Sequence, residues 1–223
     1  MFQHYDRPVE KPQAIIFDWD NTLVDTWPII RDALNTALIS FGMQPWTMED
    51  TKKKVRKSMR DSFPSLFGKD WEHAGKIFYD RYNEIHIDKL RAIDGASDLI
   101  NILISKKIYL SVVSNKRGDL LRAEAIHLGW DKHFKAIVGA NDASKDKPSR
   151  EPVDLALQRS ELEAGPEVWF IGDSDIDIEC AKNSQCTSVL LDYQYNTKGA
   201  NSGVAADFTF PDCMALSKFI DKM

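Results

Sequence analysis

The chain has 223 residues, 43% hydrophobic and 28% charged, a balance that supports a folded core and excludes a disordered, collagenous or coiled-coil chain. Its 29 lysines and arginines against 34 aspartates and glutamates give a net charge of −5, so no electrostatic pull toward nucleic acid or an anionic membrane surface is expected. Cys180, Cys186 and Cys213 show no zinc-type spacing and read as free thiols in a reducing compartment.

Residues 14–17 are a short apolar run ahead of Asp18, the pattern of a buried strand that delivers polar groups at its end. Residues 26–41 predict an amphipathic helix with Ile29, Ile30, Ala33, Leu34, Ala37, Leu38 and Phe41 on one side, and residues 46–59 and 70–86 predict two more. Helices follow over 97–105, 119–128, 152–159 and 175–183. Between them, apolar strands are expected at 109–113, ending at Ser114-Asn115, at 136–138, at 168–171, ending at Gly172-Asp173, and at 188–191, ending at Asp192. Strands alternating with helices predict an α/β fold with a doubly wound parallel sheet, Rossmann-like, whose ligand site lies beyond the carboxyl ends of the strands.

One connection is too long for that plan. The stretch from Thr22 to Ser114 far exceeds the dozen or so residues that a parallel crossover requires. An all-helical insertion over residues 26–92 accounts for it, with residues 1–25 and 93–223 forming the core.

Four polar motifs stand at strand ends. Asp18-x-Asp20-x-Thr22 brings two carboxylates to one small volume beyond the sheet edge; Ser114-Asn115 follows the second strand; Lys147-Pro148 precedes a helix; and Gly172-Asp173-Ser174-Asp175-Ile176-Asp177 closes the fourth strand. Each alone has a plain structural reading, as a turn, a solvated loop or an acidic helix start favoured by the dipole. Four in order at one edge point to a single site.

This set resembles the four motifs of the haloacid dehalogenase superfamily, most of whose members are phosphatases, and the entry into the helix after Lys147 is similar to that of the phosphoglycolate phosphatases. Two positions depart from the pattern: Arg150 stands where a proline is usual, and Asn21 where glycine is common, although Asn tolerates a left-handed backbone. The resemblance implies an aspartyl-phosphate mechanism. Asp18 would be the nucleophile and Asp20 the acid and base, since a carboxylate attacks phosphorus well and a second carboxyl serves both proton transfers. Lys147, with Lys145 as a rival in the same loop, would balance the charge of the transferring group. Thr22, Ser114, Asn115 and Lys147 would bind phosphate. Mg²⁺ would be held by Asp18, the backbone carbonyl of Asp20 and Asp173, with Asp177 behind them orienting Lys147 or a water of the metal.

In that superfamily a helical insertion at this point is a mobile cap, which would exclude water and supply substrate contacts. Its basic run, Lys52, Lys53, Lys54, Arg56, Lys57 and Arg60, reads first as a solvated face, with Arg56 and Arg60 as candidates for a second anion on the substrate. The five histidines show no clustering, and Trp19 fits either a pocket wall or strand-end packing. The expected activity is hydrolysis of a small phosphate ester. A phosphosugar mutase, a phospho-accepting signalling module and a partner-binding protein on the same scaffold are the alternatives. Residues 1–13 are too polar for a signal-peptide core, no stretch approaches the roughly 18 apolar residues of a spanning helix, and the expected location is the cytoplasm.

Overall fold

β1 (Ala14–Phe17) consists of four apolar side chains, all fully buried, as a central strand covered on both faces requires. This computed structural model describes residues 11–55, 59–193 and 205–223, the side chains of residues 59–61 excepted. After β1 come helices α1 (Trp27–Ser40), α2 (Met48–Lys54), α3 (Met59–Phe67) and α4 (Trp71–Lys89). Then follow α5 (Ala96–Ser105), β2 (Tyr109–Arg117), α6 (Gly118–His127), β3 (Ala136–Ala140), α7 (Glu151–Leu157), β4 (Val168–Gly172), α8 (Asp175–Asn183), β5 (Thr187–Leu191), β6 (Phe208–Phe210) and α9 (Cys213–Asp221).

The strands form one sheet in the order β3-β2-β1-β4-β5-β6, with every neighbouring pair parallel. The period of two in the strands sorts their side chains into two layers. Ile15 and Phe17 join Val112, Trp169 and Val189 under α5, α6 and α9, whereas Ala14 and Ile16 join Val113, Phe170 and Val168 under α7 and α8. The doubly wound parallel core expected from the sequence is therefore present.

α1 and α4 pack along each other, and their inner ends, with Ile29, Ala33, Tyr82 and Ile85, belong to the main core. Their outer halves build a second core with α3, from Leu34, Ala37, Leu38, Phe63, Phe67 and Ala74. Where this helical segment leaves and rejoins the sheet, the two passes of chain lie side by side: Asp25 N donates to Arg91 O at 2.9 Å and Ile93 N to Leu23 O at 2.9 Å.

Two expectations are corrected. Of the helix expected over 46–59, α2 covers Met48–Lys54: Thr47 caps its start, and it ends where Val55 turns extended (φ −85, ψ 91) and packs its side chain into the helical segment's own core, while Met59 already belongs to α3. The second strand does not stop at Val113 but continues to Arg117, carrying Ser114 and Asn115 within it. α3 beyond its first residue, β6 and α9 lie outside the elements expected from the sequence. β6 has only three residues, too short to register as an apolar run, while α9 did carry a signal in Asp212, whose side chain accepts from Ala215 N at 2.7 Å. Among the described residues, no helix is long and apolar enough to cross a membrane.

β3 lies so close to the start of α6 that a Cβ on Gly139 would meet the Gly118 Cα at 2.4 Å and its nitrogen at 2.6 Å. Backbone cannot yield as a side-chain tip does. Gly139→Ala is expected to cost about 1–3 kcal/mol, lowering the melting temperature by roughly 2–12 °C. Gly165→Ala, where the nearest atom is 3.9 Å away, is the control for the same thermal melt.

Candidate active site

Asp18 continues the line of β1, its N–H donating to Ile171 O at 2.8 Å. The chain then turns sharply: Leu23 N reaches Trp19 O at 3.0 Å, and Asn21 takes a left-handed φ of 64°, the conformation that Asn tolerates in place of glycine. Trp19 points inward, fully buried against Trp130 and Phe134, so it packs beneath the strand end and does not line the cleft. Asp18 and Asp20, on either side of it, both line a cleft of about 540 Å³ between the sheet edge and the helical segment. Ser114, Asn115, Lys147 and Asp173 line it too; Ile30, Phe63, Phe78 and Tyr79 are among the residues of the opposite wall.

Lys147 is the centre of the polar wall. Its side chain is 3% exposed, and its ammonium donates to Asp18 Oδ1 at 2.6 Å and Asp177 Oδ1 at 2.7 Å. Lys145, the rival in the sequence, is exposed and paired with Glu151. Asn115 secures the lysine's backbone: its Oδ1 accepts from Lys147 N at 2.9 Å and its Nδ2 donates to Lys147 O at 3.1 Å, across a loop whose Lys147-Pro148 bond is cis. The amide nitrogen of Asn115 has two donors and the loop takes one of them, so the other remains for the expected phosphate contact.

Asp177 is fully buried and has both oxygens engaged, Oδ1 by Lys147 and Oδ2 by Ser174 N at 3.1 Å and Ser174 Oγ at 2.5 Å, which also caps α8. The approach requires Gly172, because a Cβ there would lie 2.3 Å from the Asp177 Cβ. Thr22 is buried, with its hydroxyl 3.2 Å from Asp18 Oδ2 and 3.4 Å from Asp173 Oδ1, so these two carboxylates face each other across it. One oxygen from each of Asp18, Asp173 and Asp177 lies within 4.8 Å of the others.

Electrostatics follow from burial. Desolvation works against the charge of Lys147, but the Asp177 and Asp18 carboxylates outweigh it and hold the pKa far above that of an ordinary lysine. Asp18 goes the other way. Its burial, against a single shared ammonium and with Asp177 and Asp20 nearby, pushes its carboxyl up to about 6.

A sequence profile described as haloacid dehalogenase-like hydrolase matches residues 15–191. The chain belongs to this family. A phosphoglycolate phosphatase of Chromobacterium violaceum is 28% identical over 201 residues, covering 85% of this chain and 90% of the relative. Pyrophosphatase PpaX of Listeria welshimeri is 30% identical over 178 residues, 78% of this chain and 81% of the relative. A crystal structure of a haloacid dehalogenase-superfamily hydrolase from Ehrlichia chaffeensis superposes with a TM-score of 0.67 at 30% identity, covering 96% of this chain and 98% of that one.

Of the candidates at the edge of this hydrolase's sheet, Asp18, Asp20, Ser114, Asn115, Lys147 and Asp173 line one cleft, with Thr22 and Asp177 wholly buried behind them. Arg56 lies outside the described residues, as does the side chain of Arg60. Sequence reasoning missed Lys116, whose ammonium donates to Asp20 Oδ1 at 2.7 Å, and the fully buried Glu124 behind it. A signal existed. Glu124 stands between Leu120, Leu121 and Ala125 on the apolar face of α6, where a carboxylate is out of place.

A carboxyl whose folded pKa is raised from 3.8 to about 6 destabilises the fold above that pH, and the penalty fades as pH falls from about 6 toward 3.8. In metal-free buffer, Asp18→Asn is therefore expected to stabilise the protein by up to about 3 kcal/mol at pH 8 and by much less at pH 4. Denaturant titrations of both proteins at the two pH values check the sign and the trend.

Proposed function

We propose that this hydrolase is a Mg²⁺-dependent phosphatase of a small phosphorylated metabolite, similar in activity to the phosphoglycolate phosphatases and working through an aspartyl-phosphate. The observation that carries the reading is that Asp18 and Asp20 line one cleft with the buried Lys147 ammonium 2.6 Å from Asp18. Relatives named phosphoglycolate phosphatase and pyrophosphatase agree with it, since both activities break a phosphorus–oxygen bond.

An Asp18 oxygen bonds to phosphorus as the bond to the ester oxygen breaks, and Asp20 gives the departing oxygen its proton. In the second step a water oxygen bonds to phosphorus, Asp20 takes the proton, and the bond to Asp18 breaks, releasing inorganic phosphate. Asp20 suits the two-way transfer because its side chain is 24% exposed toward the cleft, whereas Asp18 is held at 8%. Lys147 places a fixed positive charge beside the transferring group, and the Ser114 hydroxyl stands where its oxygens gather. Thr22, expected as a phosphate ligand, is fully buried behind the cleft, with its hydroxyl turned to the carboxylates of Asp18 and Asp173. Asp177 and Asn115 keep Lys147 in position.

The donor set fits a hard cation. Its atoms are all oxygens, and because Asp177 is engaged by Lys147 and Ser174, the residues that would hold Mg²⁺ are Asp18, Asp173 and, through its backbone carbonyl, Asp20. When bound, the ion offsets the charge of the carboxylates and the phosphate. The helical segment acts as the cap: the apolar wall carrying Phe63 and Phe78 keeps water from the first step, and Arg56 and Arg60 are its candidate contacts to a second anion.

Asp18→Asn is expected to fold and to lose turnover by a factor on the order of 10³ or more, because an amide does not form the acyl phosphate. Phosphate release from a panel of phosphorylated metabolites, assayed for both proteins, measures it; near wild-type rates in the variant would remove the mechanism. Activity is likewise expected to vanish in EDTA and to return with Mg²⁺. Full turnover in chelator would rule out the metal role of Asp173.

A further inference from the structure

Behind Asp20 lies a second buried polar cluster that the mechanism above does not use. Its hub is Glu124 on α6, fully buried on an otherwise apolar helix face. An unpaired carboxylate there would cost several kcal/mol. It is not unpaired. Oε2 accepts from Trp19 Nε1 at 2.7 Å and from the Lys116 ammonium at 2.9 Å, and Oε1 accepts from Tyr82 Oη at 3.2 Å and stands 2.9 Å from His86 Nδ1. Two partners on each oxygen use the four lone-pair directions of a carboxylate.

The Lys116 ammonium is equally saturated. It has three protons, and it reaches Glu124, Tyr82 Oη at 2.5 Å and Asp20 Oδ1 at 2.7 Å, so nothing remains for a phosphoryl oxygen. Lys116 borders the cleft, but its protons are committed to Asp20, Tyr82 and Glu124 and not to the substrate. Glu124 grips Asp20 from both sides: through Trp19, its chain neighbour, and through Lys116, on its carboxylate. The remaining two partners, Tyr82 and His86, belong to α4 of the helical segment, so the cluster ties that helix to the same carboxylate.

We propose that Lys116 and Glu124 are positioning residues for Asp20: Glu124 fixes the Lys116 ammonium, which in turn holds the Asp20 carboxyl where it meets the leaving oxygen. The inference rests on the acid and base role of Asp20 given above. A cluster that served only to pack α4 against α6 would use the same contacts but would leave proton transfer alone.

Leaving groups separate these roles. Nitrophenolate departs without help, whereas a simple phenolate or an alkoxide leaves only as it is protonated, so loss of the acid falls most heavily on the poorer leaving groups. The specificity constant kcat/KM reports events up to formation of the aspartyl-phosphate. It is measured for 4-nitrophenyl phosphate, phenyl phosphate and ethyl phosphate with wild type, Asp20→Asn, Lys116→Met, Lys116→Arg and Glu124→Gln.

Asp20→Asn is the reference, and it is expected to lose at least about 100-fold more on ethyl than on 4-nitrophenyl phosphate. Lys116→Met and Glu124→Gln are expected to show the same bias, by about 10-fold, and Lys116→Arg to recover part of it. Glu124→Gln keeps the shape of the side chain and carries the test if Lys116→Met does not fold. Equal losses on all three esters in Lys116→Met and Glu124→Gln, with the bias present in Asp20→Asn, would overturn the positioning role alone. Absence of the bias in Asp20→Asn itself would overturn the acid role of Asp20 and this inference with it.

Discussion

One buried ammonium shared between two carboxylates is the interaction on which the rest of the site depends. Lys147 comes from the loop before α7, Asp18 from the end of β1 and Asp177 from the first turn of α8, and none of the three charges is stable in that position alone. Much of the local structure serves to bring them together. Gly172 gives up a side chain so that Asp177 can approach, Ser174 occupies the oxygen that Lys147 leaves, and Asn115 bonds both backbone groups of Lys147. One positive charge does not satisfy two buried carboxylates fully. The remainder appears as the raised pKa of Asp18, and it is the same deficit that an oxygen-seeking cation would fill.

The cleft above this wall is asymmetric. The sheet edge supplies the carboxylates, hydroxyls and buried lysines, while the helical segment contributes mostly aromatic and aliphatic surface such as Phe63, Phe78, Ile30 and Val55, with Lys52 and Ser62 among it. Fixed charges beside such a largely apolar wall act at a lower effective dielectric than in open water. The two strands of chain that cross at Asp25 and Arg91 are what join these halves, and α1 and α4 continue from them into a core of their own.

Lys116 and Lys147 make an instructive pair. Each is a nearly buried lysine between two carboxylates, one pair around Asp18 and the other around Asp20. In both, desolvation opposes the charge and the carboxylates more than compensate. The difference is in what lies behind them. Asp177 belongs to the sheet side of the molecule, while Glu124 also collects Tyr82 and His86 from α4, so the second cluster alone spans the sheet and the helical segment.

The sequence by itself determined five of the six strands of the α/β core and the residues at its carboxyl edge, because those depend on local rules. Runs of four or five apolar residues read as buried strands, a polar residue immediately after each run must emerge at the sheet edge, and Asn21 takes the left-handed turn its residue type allows. The tertiary structure alone decided which side chains meet. The contacts between Lys147 and Asp18, Trp19 and Glu124, and Lys116 and Asp20 join residues 129, 105 and 96 positions apart, and no periodicity encodes such distances. It also decided that Val55 would end a helix that its neighbours favour, that Asn115 would hold a loop, and that a glutamate on an apolar stripe and a histidine without sequence neighbours would share one buried cluster. In each case the outcome turns on burial, which makes a polar group's partner obligatory but leaves its identity to whichever segment the fold delivers.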